Sequence, residues 1–127
     1  MMVVMGPQTS QLRDRYILLE LDTVSDGQCE HTAWCVIDDV PSDQLQQVPD
    51  WLNWHDQLMI NYRARNWLYC AELLARLKGS WNSQVDSFYD TMWQRVQDLI
   101  NCPPGSDWTS LVFKYRDHVQ TAAALDQ

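Results

Sequence analysis

Residues 50–101 read DWLNWHDQLMINYRARNWLYCAELLARLKGSWNSQVDSFYDTMWQRVQDLIN, two helical patterns broken once at Lys78-Gly79-Ser80. Apolar residues recur every three or four positions. Trp51, Leu52, His55, Leu58, Met59, Tyr62, Asn66, Tyr69, Cys70, Leu73 and Leu77 form one stripe, and Ile60, Trp67 and Leu74 a narrower second one. That spacing predicts helix from Trp51 to Lys78, either unbroken or kinked, covered on more than one side, with Asp50 as its N-cap. Gly79 suits the left-handed residue just past a helix end, and Arg76 and Lys78 suit its C-terminal dipole. Ser80 or Asn82 is expected to cap the next helix. Its stripe is Trp81, Val85, Phe88, Met92, Val96 and Leu99, widened by Tyr89, Trp93 and Ile100. A joint this short makes the two helices antiparallel neighbours.

Outward from this stretch the pattern changes. Arg15–Thr23 and Glu30–Ile37 read as strands, and Asp26-Gly27 between them is a strong hairpin signal. A two-residue turn there would set Leu21 opposite Thr32, Leu19 opposite Trp34 and Ile17 opposite Val36, and would place Asp22 opposite His31. Two strands alone are marginal in water, and residues 2–5 (MVVM) are the candidate third strand. Ser42 is placed to cap a short helix through Gln47. After the break at Cys102-Pro103-Pro104-Gly105, Ser106 or Asp107 is expected to cap a last helix with the stripe Trp108, Leu111, Val112, Tyr115, Val119 and Ala122. The expectation is an α+β fold in a single domain, 1–127. A β-hairpin region (1–40) leans on a helical region (42–125) of three main helices and one short one.

Composition bounds the function. With 127 residues and 46% hydrophobic content the chain can bury a core. Net charge is −8, and ten of the seventeen acidic side chains lie in residues 1–60 against two basic ones, Arg13 and Arg15. This disfavours direct nucleic-acid binding, which depends on Lys and Arg neutralising phosphates. It suits solubility or a basic protein partner. No run approaches the ~18 apolar residues of a membrane span, and Met1–Met5 ends at Gly6-Pro7, too short for a signal segment. Cys29, Cys35, Cys70 and Cys102 fit neither a zinc module nor a redox CxxC pair, so reduced thiols in a cytoplasmic protein are expected.

No Gly-rich phosphate loop, Ser/His/Asp order or HExxH occurs, so no catalytic residue, cofactor or metal is assigned. Cys29, His31 and Cys35 crowd one strand, yet His31 and Cys35 would stand ~13 Å apart on extended chain. Seven tryptophans are the oddest feature of the composition. Trp and Arg dominate interface hot spots, so Trp54, Arg63, Arg65 and Trp67 are the candidate contact residues, with core packing as the competing role. His55 sits on the main stripe as a core-edge histidine or a pocket residue. Asp38, Asp39, Asp43 and Asp56 form the densest acidic region, either a solvated loop or a docking face. The expected function is a small, acidic, tryptophan-rich protein–protein interaction or regulatory module, an inhibitor or adaptor, forming a homodimer. The alternative is a small-molecule binder or enzyme with an aromatic pocket near His55, between hairpin and helices.

Overall fold

The computed structural model describes residues 1–6, 9–113 and 120–121, and shows an α+β protein of two compact units. The first comprises Met1–Asp38 and the strands at 112–113 and 120–121; the second is Asp39–Thr109.

The first unit is a five-stranded sheet. β1 (Met2–Met5), β2 (Ile17–Ser25) and β3 (Glu30–Ile37) pair antiparallel, with β3 central. Two-residue strands β4 (Val112–Phe113) and β5 (Gln120–Thr121) add parallel edges beside β2 and β1, giving the order β4-β2-β3-β1-β5. A four-residue helix, α1 (Thr9–Leu12), links β1 to β2, and Arg13 stacks its guanidinium 4.3 Å from the Trp34 ring. The alternation that marked the strands is real, but the register differs from a two-residue turn. The loop is Asp26–Cys29: the Asp26 carboxylate accepts the backbone N–H groups of Gln28 (2.9 Å) and Cys29 (2.8 Å). These two bonds, the larger to Cys29, hold the Asp26 carboxyl below its ordinary pKa. Ser25 therefore faces Glu30, and a bulge between Glu20 and Thr23 moves the pairing again to Leu19↔Cys35 and Ile17↔Ile37. A one-residue shift exchanges faces. Leu19 and Leu21 thus share a buried face with Ala33, Cys35 and Ile37, not with Thr32, Trp34 and Val36. His31 is exposed opposite Val24, and Asp22 is buried at the bulge, so the ladder does not place them as a pair.

The second unit holds a 3₁₀ segment (Ser42–Gln47) and three helices: α2 (Val48–Arg63), α3 (Trp67–Leu77) and α4 (Asp86–Asn101). α3 packs against both α2 and α4. The caps differ from expectation: α2 starts at Val48 with Pro49 in its first turn, and neither Ser42 nor Asp50 makes a side-chain cap. Asp50 instead places its charge in the first turn, where the helix dipole favours it.

Of the two forms open to the 51–78 stretch the structure shows the broken one, α2 and α3. Asn66 N–H donates to the Asn61 carbonyl (2.9 Å) and Arg65 N–H to the Tyr62 carbonyl (3.2 Å), the paired bonds of a Schellman end. Arg65, at φ 65°, fills the left-handed position usually given to glycine. Asn66 then donates from its side chain to Asn61 Oδ1 (2.9 Å), and Asn61 Nδ2 donates to the Gln57 carbonyl.

At the other end of α3, Gly79 is left-handed as expected (φ 85°), its N–H held by Asp86 Oδ1 at 2.9 Å. Ser80 and Asn82 do not cap α4; Trp81, Asn82 and Ser83 form a left-handed turn (φ 58°, 53° and 63°) that drives Trp81 fully into the core, 5.2 Å from Trp51. Around it the core is Leu58, Cys70, Leu73, Leu77, Val85, Phe88, Met92 and Val96. The last helix is not formed in the described residues. After a turn at 106–107, Val112–Phe113 and Gln120–Thr121 are strands, while Tyr115, Val119 and Ala122 lie outside the described residues. Among the described residues no helix is long and apolar enough to cross a membrane.

Candidate functional site

Arg65 and Trp67, two of the residues singled out by type, meet at the α2–α3 joint. The left-handed backbone of Arg65 turns its side chain back over residues 105–108. Its Nη2 donates to the carbonyls of Gly105 (2.6 Å) and Trp108 (3.2 Å), and its guanidinium lies 5.4 Å from the Trp108 ring. Trp108, Trp67 and Tyr62 form an edge-to-face triad with centroids 5.0, 5.5 and 5.7 Å apart. Such pairs favour a fixed geometry because a ring's positive edge meets a neighbour's negative face. Tyr62 is buried and the two tryptophans half-buried. The joint is therefore rigid, and it ends in open surface.

Beside it runs the seam between α3 and α4. At one end an open cleft of about 520 Å³ is lined by Arg65, Asn66, Trp67, Leu68, Tyr69 and Ile100. At the other, a cleft of about 220 Å³ is lined by Leu74, Ala75, Lys78, Tyr89, Asp90 and Trp93. Large apolar side chains stand out along the seam: Leu68 is 74% exposed, Tyr69 and Trp93 each 41%. Lys78 donates to Asp90 Oδ1 at 3.0 Å across the second cleft, and this hydrogen bond and the Asp90 charge raise the Lys78 pKa.

The other predicted residues fall elsewhere. Trp54 is half-buried on α2 with the Arg76 guanidinium 5.9 Å from its ring, and Arg63 is exposed at the end of the same helix. His55 is fully buried, its Nδ1 3.0 Å from the Tyr89 hydroxyl and its ring tilted against Phe88 and Tyr89; it lines neither cleft. Asp38, Asp39, Asp43 and Asp56 are all exposed, and the Asp39 carbonyl accepts from Gln84 Nε2.

Cys29 and Cys102 are exposed free thiols. Cys35 and Cys70 are buried, which pushes their pKa values up to about 12 and about 11. Among the described residues no three His, Cys, Asp or Glu side chains group as a metal ion would need.

The sequence pattern singled out neither an exposed Leu68 nor an exposed Trp93. The signal was present for Leu68, which belongs to neither apolar stripe of the stretch. Trp93 was absorbed into a stripe whose outer edge proves to be solvent. No family model, curated protein or solved structure matches the chain. Its geometry alone carries the functional reading.

Proposed function

We propose that this chain is a small, non-enzymatic protein–protein interaction module, an adaptor or inhibitor that docks through the α3–α4 side of its helical unit and forms a homodimer. The observation that supports this most is the row of exposed apolar side chains, Leu68, Tyr69 and Trp93, beside two clefts and a locked aromatic joint. Exposed apolar residues scattered singly mean little, but three large ones on one pair of helices, each lining a cleft, support a contact surface. Trp67 and Arg65 stiffen that surface, which lowers the ordering cost of docking. Exposed Asp39, Asp43 and Asp56 on the same unit, and Asp38 at the end of the sheet unit, favour a basic partner protein over nucleic acid. Free exposed thiols at Cys29 and Cys102 suit the cytoplasm. The alternative reading, a ligand pocket at His55, has less support because that ring is sealed against Tyr89.

The test is site-specific photo-crosslinking in the native cell, with a photoreactive residue placed at 68, at 93 or at the exposed control position 46. Discrete higher-mass protein adducts from 68 and 93, absent from 46, are expected. Equal labelling from all three positions, or none from any, would refute the module reading.

A further inference from the structure

Within the joint between α3 and α4, Ser80-Trp81-Asn82-Ser83-Gln84 carries two unfavourable features at once. Trp81, Asn82 and Ser83 stand in succession at φ 58°, 53° and 63°, and none is glycine. For an L-residue the left-handed region crowds Cβ against the following carbonyl, which lowers its population roughly ten-fold at each position. Single residues visit that region routinely, but runs of them do not. Trp81 adds the second feature. It is fully buried, and its Nε1–H has no hydrogen-bond partner among the described residues. A buried indole N–H usually finds one.

Three things hold the turn closed. The Trp81 ring is packed 5.2 Å from that of Trp51, which removes a large apolar surface from water. Ser83 and Gln84 donate their backbone N–H groups to the carbonyls of Ser80 and Trp81, each at 3.0 Å. Gln84 Nε2 straps the turn from outside, donating to the Trp81 carbonyl at 2.9 Å and the Asp39 carbonyl at 2.6 Å. Asn82 and Ser83 are exposed and Gln84 half-buried, so Trp81 is the one core anchor of residues 81–84. The flanking helices are braced separately. Gly79 N–H donates to Asp86 Oδ1 at 2.9 Å, and Lys78 Nζ to Asp90 Oδ1 at 3.0 Å. Neither brace passes through residues 80–84, so the turn can release without parting α3 from α4.

We propose that residues 80–84 are a latch. It opens as a unit, breaking the Gln84 strap and withdrawing Trp81 from beside Trp51, while α3 and α4 stay folded and braced. Opening relieves three left-handed residues and gives the indole N–H to water. Burial of the indole still favours the closed form, so the open form is a minor state that bares two tryptophans. The latch is separate from the docking face and does not depend on it.

The experiment is native-state hydrogen exchange by NMR on the full chain at several low urea concentrations. It follows the Trp81 indole N–H together with the backbone N–H groups of Ser83 and Gln84. These three are expected to share one protection factor, roughly ten-fold or more below those of Leu73 in α3 and Met92 in α4. Their protection should change little with urea, because a local opening exposes little new surface. Gln84→Ala deletes the strap and is expected to lower the shared protection roughly ten-fold. Ser83→Gly relieves one left-handed residue and is expected to raise it about three-fold.

An indole N–H with the protection and urea slope of Leu73 and Met92 would mean that Trp81 leaves the core only when the helices unfold, and overturns the latch. So does an indole that stays protected while Ser83 and Gln84 exchange, or one whose protection neither variant moves.

Discussion

Arg65 offers a test in which the sign of an effect decides between two folds of one stretch. Its side chain makes two charge-assisted bonds to the carbonyls of residues 105 and 108 and stacks on Trp108. Because Arg65 is half-exposed, each bond is discounted to about 1 kcal/mol, and the stacking to about 0.5–1 kcal/mol. Both Arg65→Ala and Arg65→Gly lose that sum, about 2.5–3 kcal/mol. They differ in backbone. At φ 65° alanine keeps the left-handed strain of about 1–2 kcal/mol, which glycine escapes at some cost in unfolded-state entropy. Arg65→Gly is therefore expected to be more stable than Arg65→Ala by about 1 kcal/mol, or ~4 °C in Tm for a chain of this size. In a continuous helix the order reverses, alanine being better than glycine by about 1 kcal/mol. Urea unfolding followed by far-UV circular dichroism reads the difference directly, provided the slopes match. Arg65→Ala equal to or more stable than Arg65→Gly would refute the broken-helix account.

Ser83→Gly tests the left-handed turn: Ser83 is exposed at φ 63°, and relief of that strain is expected to raise stability by about 0.5–1 kcal/mol in the same assay, whereas a loss would contradict the turn. Tyr89→Phe deletes the hydroxyl bonded to His55 in the core and is expected to cost about 1–3 kcal/mol; a neutral result would mean that the bond is not made in solution. The buried thiols set an alkaline limit. Their folded pKa values are raised above the ordinary 9.0, so stability is complete below pH 9 and falls as unfolded thiols ionise, through pH 9 to about 11 for Cys70 and about 12 for Cys35. Cys35→Ala and Cys70→Ala should each flatten the decline, and an unchanged slope would contradict their burial. In native protein a thiol reagent should label Cys29 and Cys102 at once and reach Cys35 and Cys70 only on unfolding.

The α+β class was legible because both periodicities are strong: alternation through 17–25 and 30–37, and a three-to-four spacing through 51–100. What escaped was decided by interactions that leave no periodic trace. The hairpin register turned on Asp26 accepting two backbone N–H groups, which lengthens the loop, and on a bulge after Glu20. The break at Arg65 lacks the glycine or proline that announces a helix end; it is held by carbonyls forty residues away and by the Asn61–Asn66 bond. Val112 continued an apolar stripe begun at Trp108, but parallel pairing of Val112 and Phe113 with distant Val24 and Ser25 overrode that local pattern. Of the candidate site, residue type drew attention to Arg65 and Trp67. Their convergence depends on Trp108, which only the fold brings near.

Amide chemical shifts followed on dilution from millimolar to micromolar protein would test the docking face most directly. Self-association through the α3–α4 seam predicts that resonances of Leu68, Ala71, Ala75, Trp93, Gln97 and Ile100 move together along one binding curve, while those of Asp43 and Asp56 stay fixed. Shifts confined to other surfaces, or none over the whole range, would contradict it.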